Sequence, residues 1–396
     1  MYSLLLLVIY IAFISLGLPD SLLGSAWPVM QGDLNVPVSY AGLITMTIAG
    51  GTIISSLLSD KLTKRLGTGL VTFLSVLTTA VALFGFSISS SFISLIFWAI
   101  PYGLGAGAVD AALNNYVALY YGPRHMNWLH CFWGVGASVS PYIMGFYLTR
   151  GASWSSGYQT VGVIQVVISL VLLFSLPLWK GGSKSIEDSE IAESKSLTFK
   201  QIFRLSGIVP LLIAFFAYQA IEQTTGLWAS TYLVEARSVD PETAAQFASF
   251  FFLGITFGRF VCGFIANHLG DKKLIRIGTG ILFVGILLLF IPTTYTGFAL
   301  SGLVIIGIGC APIYPSVIHS TPANFGKAYS QSIIGIQMAV AYFGTTFMPP
   351  LFGWIASILS IQLYPVYLCF FTIVMFIYNE RLNTIVKNRS LKITSE

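Results

Sequence analysis

Apolar residues run along this chain in long blocks, and polar residues fall mostly in the short breaks between them. Blocks of about 20 residues, long enough to cross a bilayer as a helix, recur near residues 3–28, 37–58, 68–88, 92–119, 127–149, 157–179, 207–233, 242–267, 274–292, 295–318, 328–353 and 357–379. The pattern predicts an all-α integral membrane protein with twelve transmembrane helices. Within a block, polar residues recur at helical spacings of three and four. Asp110 and Asn114 share one face, as do Asn127 and His130, and Tyr218, Glu222 and Thr225.

Composition agrees with lipid as the solvent. The 396 residues are 55% hydrophobic and 9% charged, where a soluble chain would be nearer a quarter charged. Basic residues lie in loops between spans, so a nucleic-acid partner is not suggested. Cys131, Cys262, Cys310 and Cys369 all sit in apolar runs without disulfide or metal-ligand spacing, so they read as small core residues. No metal or cofactor is expected. The first block lacks a preceding Lys or Arg and contains Asp20, which argues for a retained span over a cleaved leader.

Lys and Arg set the orientation. Lys61, Lys64, Arg65, Arg124, the Lys180–Arg204 cluster, Lys272, Lys273, Arg276, Lys327 and the basic tail fall on one side, and only Arg150 and Arg237 fall in loops on the other. Both termini are therefore expected in the cytoplasm. The polar stretch KGGSKSIEDSEIAESKSLTFK has the composition of a solvated linker. The expected organisation is a six-helix half over 1–180, a cytoplasmic linker over 181–205, a second six-helix half over 206–380 and a cytoplasmic tail over 381–396.

The halves look like repeats. IAFISLGLPDSLLG (Ile11–Gly24) aligns without a gap to IAFFAYQAIEQTTG (Ile213–Gly226), placing Asp20 against Glu222. SLLSDKLTKRLG aligns with GFIANHLGDKKL, and GLGAGAVD with GIGCAPIY, placing Asp110 against Tyr314. Parallel repeats joined by a cytoplasmic linker imply a pseudo-two-fold along the membrane normal and a polar chamber at the repeat interface.

Over essentially its whole length the chain resembles the major facilitator superfamily. The loop after the second span is similar to that superfamily's Gly-x-Leu-Ala-Asp-x-x-Gly-Arg-Lys motif, carried by Asp60, Lys61, Lys64 and Arg65, with Ser56 and Thr63 where glycine is usual. The resemblance implies the major facilitator fold, two pseudo-symmetric six-helix halves, and a gating role for Asp60, Lys61 and Arg65. A carboxylate at a helix end can pair with basic groups or with the N-terminus of a neighbouring helix.

The embedded ionisable residues are few: Asp20, Asp110, Glu222, Arg259, His130 and His319. Such groups usually face a cavity and mark substrate or proton paths. The Asp20 carboxylate sits ~25 Å along its helix from the cytoplasmic end, and desolvation suits such a group to load and release a proton. Asn114, Asn127 and His130 offer paired donors and acceptors to a polyol, Trp27, Trp133 and Trp228 offer rings to the apolar face of a sugar, and Tyr218, Gln223, Tyr314 and Gln337 are further polar candidates for substrate binding. Gly103 and Gly107 permit close helix approach. Arg259 either snorkels toward the interface or pairs with a buried acid, and is a gating candidate. No nucleotide-binding loop, zinc-protease pattern or paired extramembrane acid points to an enzyme.

Asp20-Ser21-Leu22-Leu23, DAALNNY (Asp110–Tyr116) and RHMNWLH (Arg124–His130) together resemble the fucose–galactose–glucose:proton symporter family. Asn115 replaces that family's proline, and His130 stands where its glutamine would be. The resemblance implies proton-coupling roles for Asp20 and Asp110 and sugar contacts at Asn114 and His130. Glu222 is a third proton-coupling candidate. The expectation is a monomeric, multi-pass transporter of the cell (plasma or inner) membrane, importing a sugar or similar small polar solute with a proton, or with sodium. The alternatives are a proton-antiport exporter of drugs or metabolites and a non-transporting sensor on the same fold.

Overall fold

In lipid every backbone N–H and C=O must find its partner inside the protein, so long apolar blocks fold as helices. The structure is a computed structural model describing residues 2–37, 40–184, 197–239, 241–291 and 295–395, and its regular elements are all helical. In chain order they are α1 (Tyr2–Asp20), α2 (Leu22–Asp33), α3 (Tyr40–Leu66), α4 (Thr68–Ser87), α5 (Phe92–Tyr120), α6 (Pro123–Thr149), α7 (Trp154–Lys184), α8 (Phe199–Phe203), α9 (Ile208–Arg237), α10 (Pro241–Leu269), α11 (Asp271–Phe290), α12 (Gly297–Cys310), α13 (Ile313–His319), α14 (Thr321–Phe325), α15 (Ser330–Ile358) and α16 (Tyr364–Ser395). Residues 185–196 of the linker expected over 181–205 lie outside the described residues.

Among the described residues nine helical segments are long and apolar enough to cross a membrane. The long helices outside that set are α6, α9 and α15. Each carries a run of polar side chains: Arg124, His125, Asn127 and His130 on α6, Gln219, Glu222 and Gln223 on α9, Ser330, Gln331, Ser332 and Gln337 on α15. Large apolar side chains such as Phe97, Phe174, Phe257, Trp354 and Phe370 are exposed on the outer surface, as a lipid-facing protein requires.

The chain forms two compact units. One comprises Met1–Leu119, Trp128–Ser196 and Gly326–Ala339, the other Tyr120–Asn127, Leu197–Phe325 and Val340–Glu396. Each contains one interrupted helix. In the first unit the block expected as one span is broken between α1 and α2 at Ser21. Pro19 has no N–H to give the Ser15 carbonyl, and the Gln165 side-chain amide of α7 donates to that oxygen instead. In the second unit the break falls between α12 and α13, before Pro312, and the Tyr218 hydroxyl donates to the Cys310 carbonyl at 3.2 Å.

Close helix approach in the first unit depends on glycine. A Cβ on Gly103 would lie 2.1 Å from the Ile48 carbonyl oxygen, and one on Gly107 2.1 Å from that of Thr52. Ser55 and Ser56 of α3 donate to the Gly103 and Gly107 carbonyls at 3.4 and 3.1 Å across the same seam.

Candidate functional site

Asp20 is the last residue of α1, at the helix break. Its carboxylate is exposed, yet it is gripped from two other helices. The Tyr102 hydroxyl of α5 donates to Oδ1 at 3.1 Å, and the Trp133 indole N–H of α6 donates to Oδ2 at 2.9 Å. Both donors are neutral. An indole N–H can only donate, whereas a phenol can turn and accept. A proton arriving on Oδ1 is therefore accommodated by rotation of the Tyr102 hydroxyl, with the Trp133 bond intact.

A second cluster lies on α5 and α6. The Asn114 amide nitrogen donates to Asp110 Oδ1 at 2.7 Å and to the Asp110 carbonyl at 3.0 Å. This fixes the Asn114 oxygen toward His130 Nε2, 2.9 Å away. That oxygen can only accept, so Nε2 carries the hydrogen. The His130 ring also meets Phe13 edge-on, with centroids 5.4 Å apart. The four-residue spacing seen in sequence thus joins a carboxylate to an amide, and His130 of α6 adds an imidazole, while Asn127, three residues before it, stays outside the cluster.

The acid of the second unit has a different kind of partner. Arg259 of α10 lies 3.6 Å from Glu222 Oε1, and both side chains are buried. The guanidinium carbon is 5.9 Å from the Tyr314 ring centroid. Arg259 does not snorkel; it is an internal counter-ion. Tyr218 and Tyr314 stand within 6.0 Å of each other by centroid, so the polar patch on α9 and the ring opposite Asp110 in the repeat do meet.

Other candidates are used in packing. Trp27 is buried in a cluster with Trp154, Tyr158 and Phe86. The Trp228 N–H donates to the Pro349 carbonyl at 2.8 Å, tying α9 to α15. Asn127 is fully buried and donates to the Pro123 carbonyl at 2.9 Å in its own first turn. Gln223 is half-buried on α9, and Gln337 is fully buried on α15.

Asp60 sits against the first turn of α15. Ser332 donates to its Oδ2 at 2.9 Å, Gln331 donates to Ser59 at 3.2 Å, and Ser330 donates to Asn115 at 2.5 Å. Lys64, one turn on, is 3.2 Å from Asp60 Oδ1. A carboxylate at a helix N-terminus is favourably placed, while Lys61 and Arg65 point outward and are exposed. In the second unit His319 Nδ1 is 2.7 Å from Asp271 Oδ2, and its Nε2 is 2.9 Å from the Tyr121 carbonyl.

Sequence reasoning missed Tyr102, and it left Arg259 open between snorkelling and pairing with a buried acid, without naming Glu222 as that acid. A signal for the first was present: Tyr102, Ala106, Asp110 and Asn114 recur every four residues on α5, so a polar stripe begins at the tyrosine.

The chain is 24% identical to Bypass of stop codon protein 6 of Saccharomyces cerevisiae, over 92% of this chain and 79% of that one. It is 22% identical to the Hexuronate transporter of Bacillus subtilis, over 74% and 71%. Among solved structures it is similar to the Escherichia coli fucose:proton symporter FucP, with a TM-score of 0.74 and 14% identity, covering 96% of this chain and 99% of that one. The family model of the Major Facilitator Superfamily matches residues 9–236 and 223–386. With an all-helical fold of that type and its polar clusters carried on apolar helices, the chain is a multi-pass membrane protein that belongs to the Major Facilitator Superfamily, a family of transporters and not of enzymes.

Proposed function

We propose that the protein is a secondary active transporter that works by alternating access and imports a sugar or similar small polar solute together with a proton. In this reading the chain crosses the cell membrane twelve times, with both termini in the cytoplasm and halves over 1–180 and 206–380. The observation that carries it is Asp20: an exposed carboxylate at a helix break, held by two neutral donors and by no Lys or Arg among the described ion pairs. Such a group can change charge without disrupting a salt bridge, and its partners already suit both protonation states. Trp133 offers an indole face beside that carboxylate, so a sugar stacked there would sense the proton. Asp110 holds the same office one cluster away, through Asn114 and His130. Asp60, with the α15 first turn, is the gate.

Similarity to a hexuronate transporter and to a fucose:proton symporter supports a sugar-like substrate. The test is uptake into proteoliposomes with an inward proton gradient, using a sugar panel and a panel of lipophilic cations. Gradient-dependent sugar accumulation with accompanying alkalinisation outside supports the reading. Movement of lipophilic cations alone, against the proton gradient, refutes it.

A further inference from the structure

Where α8 turns into α9, the second unit carries an open groove of about 240 Å³. Phe203, Val209, Leu212, Ile213, Phe216 and Val340 line it, and all six are apolar. A water takes about 30 Å³ and needs two to four polar partners to stay ordered. The groove is several times that size and offers no such partner, so its occupant is apolar.

The rim of the groove is basic. Ile202, 2% exposed, fixes the short helix α8 to the second unit. Phe199, Lys200, Phe203 and Arg204 of the same helix are exposed. Lys200 lies three residues before Phe203 and four before Arg204, so these three share one side of the helix. Phe203 is itself a wall of the groove, and its ring stands 4.8 Å from that of Phe199. Gly207, at φ +97°, turns the chain into α9. Arg389 of α16 donates to the Ser206 carbonyl at 2.6 Å in that turn. The fold therefore sets the basic pair beside the groove. Among the described residues neither Lys200 nor Arg204 makes an ion pair. In the topology proposed above this edge meets the cytoplasmic leaflet, whose surface is negative.

An apolar slot next to two unmatched cations fits an apolar chain that carries an anionic head. A second copy of this chain is a poor occupant, because a two-fold contact would set Lys200 and Arg204 against their own copies. A zwitterionic lipid would fill the slot but bring its own cation to the basic pair. We infer that the groove and α8 form a binding site for one anionic phospholipid, with an acyl chain in the groove and the headgroup phosphate on Lys200 and Arg204. The site lies apart from the polar clusters of the transport reading and does not depend on which solute is carried.

Native mass spectrometry of the full chain, released from micelles titrated with phosphatidylglycerol or with phosphatidylcholine of the same acyl chains, reads the affinity of the first bound lipid. Each Lys or Arg near an anionic surface contributes about fivefold, so phosphatidylglycerol should bind at least about tenfold more tightly than phosphatidylcholine, and Lys200→Gln with Arg204→Gln should weaken it about twenty-five-fold. Val209→Trp, which fills the groove and keeps both charges, should weaken it as well. Lys272→Gln with Lys273→Gln removes the same charge from exposed positions on α11 and should change it little. Equal binding of the two lipids overturns the inference, because the groove would then take any acyl chain. An equal loss from the α11 pair overturns it too, because the attraction would then be that of the whole basic face. So does a Val209→Trp protein that binds phosphatidylglycerol as tightly as the parent.

Discussion

Replacing Arg259 with methionine removes the cation that lies 3.6 Å from Glu222 and leaves a buried carboxylate with no counter-charge. Breaking such a pair costs about 3–5 kcal/mol. Glu222→Gln strands the guanidinium instead, which stays charged at any working pH, and should cost a similar amount. The double variant, with both charges removed, should recover most of the loss. Reversible unfolding of purified protein in mixed micelles with increasing SDS measures all four proteins. An Arg259→Met variant as stable as the parent, or a double variant no more stable than either single one, would refute the reasoning.

Three further outcomes are expected. Tyr102→Phe removes one of the two donors to the Asp20 carboxylate; hydrogen bonds to charged groups are worth about 1.5–3 kcal/mol, so proton-driven accumulation should fall at least about tenfold while sugar counterflow changes little, and equal losses in both assays would speak against it. Gly107→Ala sets a methyl 2.1 Å from the Thr52 carbonyl and 2.4 Å from Ser55 Oγ, so the yield of folded protein in fluorescence-detected size exclusion should drop sharply, whereas Gly50→Ala, with nothing within 4 Å, should express normally. His319→Ala releases the Tyr121 carbonyl, so trypsin should cut after Arg124 several times faster than in the parent; unchanged cleavage would mean that the imidazole does not secure residues 120–127.

Local chemistry was legible in the sequence where it depended on spacing within one helix or across one short loop. Asp110, Asn114 and His130 could be joined because two of them are a helical turn apart and the third lies at matching depth beyond the α5–α6 loop. Gly103 and Gly107 could be recognised as a close seam because only a missing Cβ allows backbone contact there. Asp60 at a helix end could be expected to meet a helix N-terminus, although that it meets α15 could not be read from its own loop. Contacts between distant segments were not legible. Position alone allowed Arg259 both to snorkel and to pair, and Glu222 on α9 decides the matter. Trp27 looked like a ring for a ligand because tryptophan is amphipathic, yet its neighbours Trp154 and Tyr158 come from α7 and make it core. The break at Ser21 was hidden because Pro19 inside an apolar block usually bends a helix without ending it, and the Gln165 amide that caps the freed carbonyl lies 150 residues away.

The central claim is that Asp20 carries the coupled proton. Asp20→Asn keeps the size and the polar contacts of the side chain and removes its charge, so one pair of measurements on the reconstituted variant is decisive: sugar accumulation with its proton flux under an inward gradient, and sugar exchange at equal concentration without one. The account predicts that accumulation and proton flux are lost while exchange persists. Full gradient-driven accumulation by Asp20→Asn would contradict it.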